Sequence, residues 1–201
     1  MKAFRTLLYA LALLFVVVDA FAQEDSVPQT KNIQLANVYR TDGVYIFVDS
    51  DPVSDYEVTN RSKVAFSWAA TFSVTGTYSK IKSKLLRRVL KRAPDSDGVL
   101  LTFDTGGVDL AAAIKFKDRS NQGKGQALVR KEDGICVFAE CEPASPYTVL
   151  GREKIHVSWT GQYTELRSIM LKKTKRDYPD AEGVIFSSNI DEAVIIKFDK
   201  P

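Results

Sequence analysis

Two cysteines and a single histidine in 201 residues leave this chain short of the side chains that most metal and thiol chemistry requires. A disulfide-dense scaffold needs more cysteines, and a structural zinc cluster needs four Cys or His ligands, so both are excluded. Charge of one sign is scarce too. The 28 basic and 25 acidic side chains give a formal +3, too little for self-repulsion to keep the chain unfolded. With 45% hydrophobic residues the composition is that of a folded globular protein. Beyond residue 22 no apolar run approaches the ~20 residues that cross a bilayer. No Gly-x-Ser-x-Gly elbow occurs, and the one histidine, His156, reads as a sheet-face residue beside Trp159. A hydrolase would lack its nucleophile–base pair.

What the chain does have begins with residues 1–22. Lys2 and Arg5 precede an uncharged apolar run from Leu7 to Val18, and Ala20-Phe21-Ala22 closes it with a small-x-small pattern. This is the form of a secretory signal peptide rather than a membrane anchor. Position 23 is Gln, not Cys, which disfavours a lipoprotein. The expected mature chain, 23–201, keeps 26 basic and 24 acidic residues. It reads as a soluble periplasmic or secreted protein, with residues 23–32 a disordered N-terminal segment.

The strongest signal is internal. Thr41-Asp42-Gly43-Val44-Tyr45-Ile46-Phe47 recurs 91 residues on as Glu132-Asp133-Gly134-Ile135-Cys136-Val137-Phe138. At the same offset Pro52, Ser54, Tyr56 and Val58 face Pro143, Ser145, Tyr147 and Val149, and Trp68 faces Trp159. After a six-residue slip, Tyr78 matches Tyr163, and Pro94 to Val99 match Pro179 to Val184. Asp109 to Phe116 then match Asp191 to Phe198. Ordered matches with small gaps point to a tandem duplication.

Each copy translates into elements. Asp42-Gly43 and Asp133-Gly134 between β-rich runs predict type I′ hairpins. A further strand follows from Tyr56 to about Trp68, and from Tyr147 to Trp159. Ile81, Leu85, Leu86, Val89 and Leu90 recur at helical spacing over Ser79–Ala93, echoed by Leu166, Ile169 and Met170. Pro94 and Pro179 end the helices, and Gly98 and Gly183 open two closing strands. Gly106-Gly107 and Asn189 mark the turns between those strands. The expected fold is α+β: two tandem ββ-β-α-ββ units over 33–117 and 126–201, joined by a polar linker at 118–125. Each unit lays one helix on an antiparallel or mixed sheet, and the two pack pseudo-symmetrically.

The helix ending in Pro179-Asp180-Ala181-Glu182-Gly183-Val184-Ile185, followed by Ala193-Val194-Ile195-Ile196, resembles the small bacterial YbjQ-like domain of heavy-metal-binding type. The same holds for the matching part of the first copy. The resemblance covers about 40 residues per copy and implies an α+β fold with oligomer-forming sheets. A metal role does not carry over, because no Cys or His cluster lies in these segments.

Several residues suggest chemistry. Cys136 and Cys141, five positions apart, would lie about 16–17 Å apart along one strand, beyond the ~7 Å limit of a bridge. Only a fold-back at Ala139-Glu140 would join them, and two packed or half-exposed thiols are the favoured alternative. Asp49, Asp51 and Asp55 suggest a calcium loop, yet position six is Ser54 and position twelve is Asn60, against the Gly and Glu an EF-hand uses. A solvated turn fits better. Asp95 and Asp97, with Asp180 and Glu182, sit after the helix stops, where acids commonly accept backbone hydrogen bonds.

The helix faces carry the most charge. Lys80, Lys82, Lys84, Arg87, Arg88, Lys91 and Arg92 have no acid among them, whereas Arg167, Lys172, Lys173, Lys175 and Arg176 are tempered by Glu165 and Asp177. A solvated face is the plain account. The sharper one is an anion or partner surface at Lys80, Lys84, Arg87, Arg88 and Lys91. Nucleic acid does not fit, since the charge is nearly balanced and no aromatics interleave the cations. The expected function is therefore a non-enzymatic interaction or structural module of the cell envelope, needing no cofactor. Its partner would be an envelope protein, an anionic envelope component or a second copy. The alternative is a small-ligand, anion or metal-binding module using the cleft between units or the basic helix faces.

Overall fold

In the computed structural model the described residues are 33–65, 77–103, 108–118, 124–155 and 162–199. The expected signal peptide, the segment 23–32, Trp68, Trp159, His156, Gly106-Gly107 and most of the linker lie outside them.

Two hairpins form where Asp-Gly pairs allow the chain to reverse. β1 (Ile33–Val38) and β2 (Arg40–Thr41) lead through Asp42-Gly43 into β3 (Val44–Val48). Further on, β8 (Gln126–Glu132) leads through Asp133-Gly134 into β9 (Ile135–Phe138). Asp42 and Gly43 have φ of 52° and 84°, and Asp133 and Gly134 have 53° and 87°. Both central residues are left-handed, as a type I′ turn requires.

β4 (Asp51–Pro52) and β5 (Tyr56–Ala65) follow β3, and β10 (Cys141–Pro143) and β11 (Tyr147–Lys154) follow β9. The helices α1 (Thr77–Arg92) and α2 (Tyr163–Asp177) come next, within two residues of the expected span for α1. Each ends just before its proline. Then come β6 (Gly98–Thr102) and β7 (Val108–Phe116), and after α2, β12 (Gly183–Phe186) and β13 (Glu192–Phe198). Among the described residues the chain is α+β, mostly strand, with two helices on curled mixed sheets.

The ladders of the two halves run in matching register. Tyr45 pairs with Gly98 in parallel β3·β6, and Cys136 with Gly183 in parallel β9·β12. Gly98 faces Ile114 across β6·β7, and Gly183 faces Ile196 across β12·β13. Tyr56 faces Phe116 and Tyr147 faces Phe198, and each of these ladders slips just past its exposed valine, Val58 or Val149. Parallel pairing follows from the long connection through a helix that separates the paired strands. Glycine is required at 183, where a Cβ would stand 2.9 Å from Ile196 Cγ1.

Two short strands depart from the expectation of a solvated turn. β4 pairs with β8, Pro52 opposite Ala127, and β10 pairs with β1, Pro143 opposite Ala36. Each half thus lends a strand to the other, on either side of an antiparallel β1·β8 pair in which Ala36 faces Ala127. Strands of two or three residues show no alternation in sequence, so periodicity could not reveal them. The β12–β13 turn also differs in detail. Its left-handed residue is Ile190, φ 63°, rather than Asn189. Complete burial of the Ile190 side chain holds that strained conformation.

Side chains alternate between two cores. Ile46, Val48, Val99 and Leu101 meet Leu85 and Val89 of α1, in one cluster with Val184, Phe186, Ile195, Leu166 and Met170. Phe47, Ile114 and Phe116 turn to the opposite face and join Ala36, Val38, Ala127, Val129, Phe138 and Ile196. With both faces covered, the strands read as continuous apolar runs such as Val44 to Val48.

Candidate functional site

Two features gather polar chemistry. The first is a pair of crossed clasps at the centre of the helix-side core. Asp49, just after β3, has φ 45°, and Glu140, just after β9, has φ 61°. Asp49 accepts from Arg167 of α2 at 2.8 Å and from the Phe103 backbone N–H at 3.3 Å. Arg167 also reaches Glu132 at 3.1 Å. Glu140 accepts from Lys82 of α1 at 2.5 Å and from the Tyr78 hydroxyl at 3.3 Å. An acid from each half is therefore held by the helix of the other.

Lys82 and Arg167 were expected on solvated helix faces, and the structure corrects this. The Lys82 and Glu140 side chains are only 16% and 14% exposed. Tyr78 and Lys82, like Tyr163 and Arg167, are four residues apart and so share a helix face. Each cation lies over its own tyrosine ring, at 5.3 Å and 5.2 Å. The two rings stand 5.6 Å apart and both pack on Phe103.

Burial pushes both hydroxyls well above the ordinary tyrosine range, so they are hydrogen-bonding groups rather than nucleophiles. Burial also raises the Asp49 carboxyl, against the opposing pull of Arg167 and the Phe103 N–H. The calcium-loop idea loses its ligands here. Asp49 is engaged by Arg167 and Asp51 by Arg130 at 3.0 Å. Among the described residues no group of three or more His, Cys, Asp or Glu could hold a metal ion.

The acids after the helix stops do accept backbone hydrogen bonds. Asp97 takes the Phe116 N–H and Glu182 takes the Phe198 N–H, each at 2.9 Å. The two cysteines are unbridged and buried. Although the chain turns between them at Glu140, each thiol packs in the sheet-side core. Burial pushes Cys136 up to about 11 and Cys141 up to about 12, from an ordinary 9.0.

A raised folded-state value means that the thiols support the fold fully below pH 9. That support is lost as pH climbs through 11 and 12. Native protein at pH 8 is expected to leave Ellman's reagent unreacted over many minutes and to release two equivalents once denatured. Rapid native reaction of either thiol would contradict this.

The second feature is an open cleft of about 960 Å³ between the edge strand β5 and the C-terminal half of α1. Arg61, Ser62, Lys63, Arg88, Lys91, Arg92 and Leu110 line it. Among its described lining residues five are cations and none is an acid, and among the described residues none of the five makes a salt bridge. Arg88 Nη1 donates to the Lys63 carbonyl at 3.1 Å, tying helix to strand.

Of the surface expected from sequence, Arg88 and Lys91 line this cleft. Lys80, Lys84 and Arg87 are exposed elsewhere on α1. Sequence reading missed Arg61, Lys63 and the place of Arg92, because only tertiary packing sets strand beside helix. The Lys-Arg content of β5 was the available signal. Among the described residues no helix is long and apolar enough to cross a membrane. No family model matches the chain, and no curated protein or solved structure matches it significantly.

Proposed function

We propose that the protein is a non-enzymatic, exported interaction module that engages an anionic envelope component through the α1–β5 cleft. The observation that carries this reading is the described lining, in which five residues are cations and none carries a carboxylate. Uncompensated charge in a cleft attracts anions because the low-dielectric walls concentrate its field. Arginine forks add paired donors that suit phosphate, sulfate or carboxylate oxygens.

The chain is further read as a tandem duplication. Matching ladder registers, reciprocal strand exchange and reciprocal clasps support that reading. The likeness to the YbjQ-like domain enters only as a likeness of fold, with no metal role.

The test is retention on a sulfated-dextran column. Arg88→Glu with Lys91→Glu is expected to weaken binding at least tenfold, the scale of losing one or two charge-assisted contacts. Lys172→Glu with Arg176→Glu changes net charge equally on α2 and is expected to leave retention nearly unaltered. Equal losses from both pairs would show that general charge, not the cleft, is responsible.

A further inference from the structure

Strand β5 stands at the end of its sheet, and among the described residues no strand pairs with its outer side. Two observations fix which of its main-chain groups face outward. The Ile114 carbonyl of β7 accepts from the Asp97 N–H at the start of β6, on the side of β7 away from β5. Main-chain groups of an antiparallel strand alternate in direction, so Ala112 and Leu110 also turn to β6. Their β5 partners, Arg61 and Lys63, then point their N–H and C=O groups away from the sheet. In agreement, the Lys63 carbonyl accepts from Arg88 Nη1 of α1 at 3.1 Å. Past the slip at Val58/Asn60 the ladder runs regularly from Asn60 to Ala65, long enough to template a short added strand.

The cations of this region border that edge on both faces of the sheet. Cross-strand partners share a face. Ser62 lies opposite Ala111, which packs in the helix-side core, whereas Arg61 and Lys63 lie opposite Ala112 and Leu110 on the other face. Arg88, Lys91 and Arg92 of α1 therefore flank the edge on the helix side, and Arg61 and Lys63 flank it on the far side. A small anion would meet one set only. A strand laid along β5 sends successive side chains to alternate faces and reaches both.

Charge selects the edge and its occupant. The outer strand of the other sheet, β11, also has a carbonyl taken by a helix cation, that of Lys154 by Lys173 Nζ at 3.4 Å. Its cations are already paired, Lys154 with Glu192 at 2.5 Å and Lys173 with Glu153. A second copy of the chain pairing β5 with β5 would set like charges against each other, the usual means by which natural edges avoid self-association.

We infer that an extended acidic peptide segment of a partner protein adds to β5 as a strand, pairing with the main chain of Arg61 and Lys63. Carboxylates at successive peptide positions then meet Arg61 and Lys63 on one face and Arg88, Lys91 and Arg92 on the other. This rests on the anion-binding reading above and names its ligand. Main-chain pairing supplies affinity, and the flanking cations select acidic sequence. On binding, the Lys63 carbonyl exchanges the Arg88 guanidinium for a peptide N–H, and Arg88 turns to a peptide carboxylate.

The probe is the capped peptide Thr-Val-Glu-Glu-Glu-Val-Thr, with isothermal titration for affinity and amide hydrogen exchange read by NMR for geometry. The native chain is expected to bind one equivalent. Binding is expected to slow exchange at the Arg61 and Lys63 amides roughly tenfold or more, with the Arg152 and Lys154 amides of β11 unchanged. N-methylating the glutamate nitrogens of the peptide keeps every charge, removes main-chain donors, and is expected to weaken binding roughly tenfold or more. Arg88→Glu with Lys91→Glu is expected to do the same from the protein side. Equal affinity for the N-methylated peptide, or binding without added protection at Arg61 and Lys63, would overturn strand addition while the anion-binding reading stands. So would a native chain that ignores the peptide yet is retained by sulfated dextran, since the ligand is then a polysaccharide. Loss of both peptide binding and retention would overturn the reading itself.

Discussion

Tyr163→Ala is expected to lower the unfolding free energy by about 3–5 kcal/mol, the range for emptying a buried aromatic site. The Tyr163 side chain is 2% exposed and touches the ring of Tyr78 at 5.6 Å and that of Phe103 at 5.0 Å. Neither neighbour is free to close the gap. Tyr78 is tied through its hydroxyl to Glu140, and Phe103 donates its backbone N–H to Asp49. Tyr163→Phe keeps the ring and removes only the hydroxyl that interacts with Asp49 and Arg167, and is expected to cost about 1 kcal/mol.

Denaturant unfolding followed by circular dichroism and by intrinsic fluorescence measures both variants. Because residues from both helices and from strands of both halves share one core, the two signals are expected to move together in a single transition. A loss below about 1 kcal/mol for the alanine variant would refute this account of the core. Two separate transitions would do the same.

Glu140→Ala carries the second large effect. Removing one member of a buried ion pair strands the other charge, at about 3–5 kcal/mol. Lys82 would be left against the Tyr78 ring with its carboxylate gone. Glu140 also holds φ at 61°, a conformation that costs a non-glycine residue about 1–2 kcal/mol. Glu140→Gly releases that strain while losing the same pair, so it is expected to be the milder of the two by about 1 kcal/mol. Combining Glu140→Gln with Lys82→Met removes both charges and is expected to recover most of the loss. If the double variant is as unstable as Glu140→Ala, the ion pair is not the source of the effect. If glycine proves worse than alanine, the left-handed backbone is not strained.

The elements that sequence revealed are those set by local chemistry. Asp42-Gly43 and Asp133-Gly134 specify their turns, because few other residues accept left-handed angles at two successive positions. The apolar stripe from Ile81 to Leu90 and the stop at Pro94 bound α1, since helical period and a missing amide are local properties. The clasps were legible in part. Tyr78 with Lys82 and Tyr163 with Arg167 repeat an aromatic-to-cation spacing of four, while Asp49 and Glu140 occupy matching places after their strands. Nothing local says that each acid reaches the opposite helix, so Lys82 and Arg167 read as solvent-facing until the chain is folded.

By itself, then, the sequence determined the α+β class, the two hairpins, the helix ends and the cationic character of α1. Each of these follows from interactions within a few residues. Tertiary structure alone decided that β4 and β10 cross to the other half, and that Arg61 and Lys63 join Arg88, Lys91 and Arg92 in one cleft. It also decided that Lys173, Lys154 and Arg176 in the second half pair with Glu153, Glu192 and Asp177. A count of charges along the chain cannot separate these two surfaces. Electrostatic energy depends on distances in space, and those are set by which strands pair and which helix lies beside them.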